Sequence, residues 1–61
     1  MNGKKFKDLR LKHKLRQEDI AKSLGISRVA VAKWEAGMAS PRSESLPKIA
    51  RLLKCKIDNL F

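Results

Sequence analysis

The stretch QEDIAKSLGISRVAVAKWEA, residues 17–36, decides the fold of this chain. Its apolar residues recur at intervals of about three and four, which is the period of an amphipathic helix. Gly25 interrupts this pattern, because glycine adopts the left-handed backbone of a helix C-terminus without a steric cost, and Ser27 is a favourable N-cap. The stretch therefore predicts one helix over residues 17–24 and another over 28–36, joined by a tight turn as in a helix-turn-helix motif.

Outside this stretch the spacing of apolar residues predicts three further helices and no strand. The first helix is expected over residues 4–13 and the fourth over 43–54, where Pro47 is tolerated because it lies in the first turn. The fifth is the short segment KIDNLF at residues 56–61. We therefore predict an all-α fold of five helices, with residues 1–61 forming a single domain.

The predicted core takes apolar residues from the first four helices. Trp34 is assigned to it rather than to stacking on a ligand, because a large apolar side chain at this position is more often buried. Cys55 is expected to be a small buried hydrophobe. The remaining predicted core positions are Phe6, Leu9, Ile20, Ala21, Leu24, Ile26, Val31, Leu46, Ile49, Ala50 and Leu53.

The charge of the chain is strongly positive. Fifteen lysine and arginine residues stand against six acidic ones, which gives a formal net charge of +9 at pH 7. Such an excess indicates an anionic partner, and nucleic acid is favoured over a membrane surface. A domain of this size buries only about 60% of its unfolded surface, so a large active-site cleft is not expected.

Several classes of function find no support in the sequence. Cys55 is the only cysteine and His13 the only histidine, so no disulfide, metal site or cofactor is expected, and the setting predicted is reducing and cytoplasmic. No apolar run has the length of a signal peptide or a membrane span. We also find no nucleophile motif and no glycine-rich phosphate loop, so we predict neither an enzyme nor a small-molecule substrate.

The chain resembles the lambdoid phage repressor and Cro family of helix-turn-helix proteins, the xenobiotic-response-element type. The resemblance extends over nearly the whole chain and is carried by LR at 9–10, QEDIAKSLGIS at 17–27, WE at 34–35, SLPKIARLL at 45–53 and CKIDNL at 55–60. It implies a five-helix, lambda-repressor-like domain whose third helix enters the major groove of double-stranded DNA. It further implies a homodimer on a near-palindromic operator.

The resemblance implies that base edges are read by Ser27, Arg28, Val29 and Lys33, at the start and on one face of the third helix. Their chemistry differs. Arg28 can donate two hydrogen bonds to guanine O6 and N7, whereas Val29 can contact only the methyl group of thymine. Lys33 can donate to a guanine or to a phosphate.

The resemblance also implies a set of phosphate contacts. Gln17 lies at the start of the second helix, where free backbone N–H groups favour an anion. Arg42 and Ser43 match a second phosphate clamp at the loop before the fourth helix. Arg16 and Lys22 complete the predicted phosphate-binding set.

Two further pairs are assigned structural roles. Arg10 and Glu35 match a salt bridge that the family buries between the first and third helices, so we expect them to set geometry without touching DNA. Leu60 and Phe61, at the end of the fifth helix, are predicted to form the dimer contact.

We therefore expect a sequence-specific DNA-binding transcriptional regulator that acts as a repressor by occluding a promoter. Two proteins of the same fold remain alternatives, a DNA-binding antitoxin and a restriction-modification controller. An alternative from another class is a cationic helical module that binds a membrane or a protein partner. Gly25, Gly37 and Pro41 argue against the membrane version, because they divide the chain into short helices that need a shared core.

Overall fold

The computed structural model describes all 61 residues and contains helices but no strand. Four segments are α-helices and two are short 3₁₀ helices. The α-helices are α1 (Gly3–Lys12), α2 (Gln17–Leu24), α3 (Arg28–Glu35) and α4 (Leu46–Leu52), and the 3₁₀ helices are Ser43–Ser45 and Ile57–Leu60.

The prediction of five helices is therefore wrong in its count. The segment expected as a fifth helix is a single 3₁₀ turn, in which the Asn59 N–H donates to the Lys56 carbonyl at 3.0 Å. The expected fourth helix begins as the other 3₁₀ turn, and α4 ends at Leu52. It ends early because Lys54 adopts a left-handed backbone, φ 52°, and the Cys55 N–H donates back to the Ala50 carbonyl at 2.9 Å.

The turn between α2 and α3 has the geometry that the sequence predicts. Gly25 has φ 69°, and the Ile26 N–H donates to the Ala21 carbonyl at 3.0 Å, which closes α2. Ser27 then caps α3, because its Oγ accepts a hydrogen bond from the Ala30 N–H at 3.3 Å. The turn thus fixes the angle at which α3 leaves α2.

The N-terminus of α1 packs closely against the end of α3. Asn2 caps α1 by accepting from the N–H groups of the two lysines that follow Gly3, and its own N–H donates to the Leu60 carbonyl at 2.7 Å. A Cβ at Gly3 would lie 2.3 Å from the Trp34 carbonyl oxygen. Only glycine therefore fits where α1 meets α3.

Nine apolar residues form the core: Phe6, Ile20, Ala21, Val31, Trp34, Ile49, Ala50, Leu53 and Leu60. The rings of Phe6 and Trp34 pack edge to face with their centroids 6.0 Å apart.

Leu60 is completely buried, so the prediction that it forms a dimer contact is wrong: its side chain fills the protomer's own core. Ile26, expected in the core, is 37% exposed because it lies at the outer side of the turn. None of the helices combines the length and the apolar composition that spanning a membrane requires.

Candidate nucleic-acid interface

One face of α3 is open to solvent while the other is buried. Arg28, Val29 and Lys33 are exposed, whereas Val31 and Trp34 on the opposite side lie in the core. Val29 keeps 53% of its surface exposed, so it does not serve to fill the core. The structure thus brings a guanidinium, an apolar side chain and an ammonium group onto one short helical face.

A buried ion pair fixes α3 to α1. The Nε of Arg10 lies 2.6 Å from Glu35 Oε2 and its Nη2 lies 3.1 Å from Oε1, while its Nη1 donates to the Leu15 carbonyl at 2.8 Å. Both side chains of the pair are less than a tenth exposed, at 9% for Arg10 and 7% for Glu35. Each of the three guanidinium nitrogens of Arg10 thus donates to an acceptor, which compensates for the burial of its charge.

The charge of Glu35 is maintained by its partners. Burial by itself favours the neutral carboxyl and works to raise the pKa of Glu35, but hydrogen bonds from Arg10 and Gln17 and the positive charge of Arg10 have the larger combined effect. The net result is that the pKa of Glu35 is lowered. Glu35 is therefore an ionised acceptor at neutral pH.

Gln17 connects this ion pair to the exposed face of α3. Its Nε2 donates to Glu35 Oε1 at 3.0 Å, and its Oε1 accepts from Arg28 Nη1 at 3.0 Å. The resemblance implies a phosphate contact for Gln17 and gives no indication of these two contacts. No sequence signal specifies them, because they depend on the rotamers of two long side chains that meet across the turn.

A shallow depression on one side of the turn is lined by three of the predicted contact residues. Arg16, Lys22 and Arg28 all line it, together with Ile26. Arg16 is paired with Glu18 at 2.7 Å and more loosely with Asp19 at 3.5 Å, although its side chain remains 73% exposed. An arriving phosphate would therefore have to exchange with these carboxylates.

The carboxylate of Asp19 also stabilises the start of α2. Its Oδ2 accepts a hydrogen bond from the Arg16 N–H at 2.7 Å. This backbone hydrogen bond, followed by the contact with the Arg16 side chain, lowers the pKa of Asp19. Arg16 is thereby held at the N-terminus of α2 and at the rim of the depression.

A second depression lies on the other side of the turn. It is lined by Arg42 and Lys48, and Ile26 and Trp34 form part of its apolar wall. Arg42 is 87% exposed and its Nη1 lies 3.9 Å from Glu44. Ser43 is exposed beside it, at the start of the 3₁₀ turn. Lys48 is not among the phosphate-binding residues predicted from the sequence, although it lies in this depression with Arg42.

The family model described as helix-turn-helix matches residues 6–60 of the chain. The chain is 40% identical over 59 residues to the HTH-type transcriptional activator BcrR of Enterococcus faecalis. This match covers 97% of this chain and 29% of BcrR. It is 34% identical over 59 residues to repressor protein C2 of Salmonella phage P22, over 97% of this chain and 27% of the repressor. The chain thus spans less than a third of the length of these two relatives.

Solved structures are similar to the chain over almost its whole length. The P22 c2 repressor in complex with synthetic operator 9T superimposes with a TM-score of 0.88 at 34% identity, covering 97% of this chain and 89% of that one. The restriction-modification controller protein C.AhdI from Aeromonas hydrophila has a TM-score of 0.86 at 29% identity, with the same coverage.

Proposed function

Because the chain belongs to the helix-turn-helix family of DNA-binding transcription regulators, we propose that it binds a specific double-stranded DNA sequence through α3. The observation that carries this proposal is the exposed face of α3, on which Arg28, Val29 and Lys33 lie together. An α-helix fits the major groove of B-DNA, where each base pair presents its own pattern of donors, acceptors and methyl groups. Members of this family act in general without catalysis.

Each exposed residue of α3 has a distinct role in this proposal. Arg28 donates to guanine O6 and N7, Val29 contacts a thymine methyl group, and Lys33 donates to a guanine or a phosphate. Ser27 lies at the N-terminus of α3, where its hydroxyl caps the helix and its exposed edge faces the bases. Because these chemistries differ, the operator should contain both guanine and thymine in each half-site.

The two depressions flanking the turn supply the phosphate contacts. Arg16, Lys22 and the free N–H groups at the start of α2 bind phosphates on one side of the groove. Arg42 and Lys48 bind them in the depression on the other side. Ser43, which follows Arg42 in the chain and is exposed, adds its hydroxyl to this contact. Such contacts fix the register of α3 on the duplex without reading its sequence.

A homodimer would place two α3 helices about one turn of DNA apart, ~34 Å, on a near-palindromic operator. Phe61, which is 55% exposed at the surface, is the remaining candidate of the two predicted dimer-contact residues. Bound over a promoter, the dimer would exclude polymerase and so act as a repressor. Binding to chromosomal or phage operators would place the protein with the nucleoid in the cytoplasm.

The similarity to C.AhdI, named a restriction-modification controller, supports a second candidate, regulation of a restriction-modification operon. Both candidates require binding of an operator by the same face of α3. The cationic membrane module receives less support, because the four α-helices share one buried core that a surface-bound peptide would not need.

Selection of bound duplexes from a random DNA library tests the proposal. We expect two symmetric half-sites whose centres are about 10 base pairs apart. Arg28→Ala should relax the choice at one base pair in each half-site by about 1–3 kcal/mol and leave the other positions unchanged. Recovery of all sequences at equal frequency would refute sequence-specific recognition.

A further inference from the structure

We propose that Glu35 determines sequence specificity from inside the domain, by holding the recognition residue Arg28 in position through Gln17. This inference rests on the proposed function, in which Arg28 reads a base. Glu35 is a positioning residue, because its side chain is 7% exposed and is enclosed by Arg10 and Gln17. The inference extends the role of the buried ion pair from stability to recognition.

The two hydrogen bonds that link Arg28, Gln17 and Glu35 can run in only one direction, with Arg28 as the first donor and Glu35 as the last acceptor. Ionised Glu35 can only accept, so the amide of Gln17 must turn its NH₂ group towards Glu35 Oε1. The amide oxygen of Gln17 then necessarily points the other way. A guanidinium can only donate, and Arg28 Nη1 meets this oxygen at 3.0 Å. The charge of Glu35 thus fixes the orientation of Gln17, and Gln17 offers Arg28 an acceptor.

The contact between Arg28 Nη1 and Gln17 Oε1 also determines which nitrogen atoms of Arg28 remain free to bind DNA. With Nη1 bound to Gln17, its Nε and Nη2 make no hydrogen bond within the protein. Arg10 uses the matching Nε and Nη2 edge to hold both carboxylate oxygens of Glu35. Arg28 therefore keeps unoccupied the edge that can donate two parallel hydrogen bonds to one guanine.

Holding Arg28 before DNA arrives lowers the entropy cost of recognition. A long, exposed arginine loses rotamer freedom when it binds, and a side chain that is already anchored loses less. The anchor is itself rigid, because Glu35 is fixed by the ion pair between α1 and α3. Three helices therefore converge on one recognition side chain.

The direct test replaces Gln17 by methionine, which has a similar length but forms none of these hydrogen bonds. Binding is measured to the selected operator and to a duplex changed only at the base pair that Arg28→Ala relaxes. We expect Gln17→Met to reduce discrimination between these two duplexes by about 2- to 12-fold, the factor that immobilising one flexible side chain costs on binding.

Lys22→Met is the matched control. Lys22 lies on α2 in the depression beside Arg28 but makes no hydrogen bond or ion pair with it. It should weaken binding to both duplexes by the same factor and leave discrimination unchanged. In the Arg28→Ala background, Gln17→Met should cause no further loss of discrimination, since its effect passes through Arg28.

Glu35→Gln tests whether the charge of Glu35 fixes the orientation of the Gln17 amide. The variant's single amide oxygen should stay with Arg10 Nε, the partner that lies 2.6 Å from Glu35. Its NH₂ group then replaces Oε1, so that it faces Gln17 and leaves Arg10 Nη2 without that acceptor. Gln17 must then reverse and present donors to Arg28. We expect lost discrimination at the Arg28 base pair in protein that circular dichroism shows to be folded. The double variant Glu35→Gln, Gln17→Glu restores an acceptor beside Arg28 and should recover discrimination.

The outcomes separate this inference from the proposed function. If the wild-type protein does not distinguish operator from other duplexes, the proposed function fails. If it does, but Gln17→Met lowers binding to both duplexes equally, as Lys22→Met does, Gln17 is only a phosphate ligand and this inference is wrong. A folded Glu35→Gln variant with unchanged discrimination would also overturn it.

Discussion

Val29 is the residue whose role in recognition can be tested most directly. It is 53% exposed on α3, and its branched side chain offers only methyl groups. If it contacts a thymine methyl, replacing that thymine by uracil should weaken binding by the wild-type protein and leave Val29→Ala nearly indifferent. Binding is measured with uracil at each thymine position of the operator in turn. Equal responses of the two proteins at every position would mean that Val29 makes no such contact.

Arg10 matters to stability because it neutralises a buried charge. Arg10→Ala leaves Glu35 unpaired in a site where both side chains were less than a tenth exposed. We expect a loss of about 3 kcal/mol, the lower range for breaking a buried ion pair. Thermal denaturation followed by circular dichroism should show a midpoint lower by more than about 10 °C. Arg16→Ala removes a pair that is largely exposed and should change the midpoint little. An unchanged midpoint in Arg10→Ala would show that the pair contributes nothing.

At the residue scale, the sequence predicted which side of α3 is exposed but not how its side chains are linked. Helical periodicity separates Val29 from Val31 and Trp34 without any tertiary information. Nothing in it reports that Gln17 lies between Glu35 and Arg28, because long polar side chains choose rotamers according to partners supplied by other helices. Ile26 was misplaced for a related reason, since the periodicity of a helix does not extend through a turn.

At the scale of elements, the predictions held at the turn between α2 and α3, where two caps define the boundaries. Gly25 and Ser27 fixed the end of α2 and the start of α3 to the residue. The end of α4 was missed, because Lys54 is a non-glycine residue in the left-handed conformation, and no local signal marks it. The last segment was too short to sustain an α-helix, although its apolar spacing is helical.

The C-terminal 3₁₀ helix stabilises the domain through Leu60. This side chain is fully buried, and the Leu60 carbonyl accepts from the Asn2 N–H at 2.7 Å, which ties the segment to the start of α1. Leu60→Ala should lower the free energy of unfolding by about 2–5 kcal/mol through the cavity it leaves. Urea denaturation at a single protein concentration measures this loss.

Phe61→Ala provides the matched control for Leu60. Phe61 is 55% exposed, so its removal should leave unfolding nearly unchanged. If it forms the dimer contact, the variant should need a higher protein concentration for cooperative binding to the operator. A destabilisation by Phe61→Ala equal to that by Leu60→Ala would contradict the burial that separates these neighbours.

For the whole molecule, stability should depend on pH through two carboxylates. The pKa values of Asp19 and Glu35 are lowered in the folded chain, so the unfolded chain takes up their protons first. Their contribution to the free energy of unfolding is fully present when the pH is above the ordinary pKa of a carboxyl group, about 4. It is lost as the pH falls through the lowered pKa values of the folded chain. Urea midpoints should therefore be level from about pH 5 upwards and fall below about pH 4. Glu35→Gln should flatten this fall, and a midpoint that rises on acidification would reverse the assigned sign.

The net charge of +9 links the whole molecule to its proposed partner. A cationic domain that meets phosphates releases the counterions condensed on DNA, so its affinity must fall with salt. About five phosphate contacts predict a slope of about −4.5 for log K against log salt concentration. Arg42→Ala should make this slope shallower by about 0.9, the share of one phosphate, whereas Arg28→Ala should leave it unchanged because a base carries no condensed counterion. Fluorescence anisotropy with a labelled operator at several salt concentrations measures all three slopes. A nearly flat wild-type line would mean that this positive charge is not used on DNA, and equal slopes for Arg42→Ala and the wild type would remove Arg42 from the phosphate contacts.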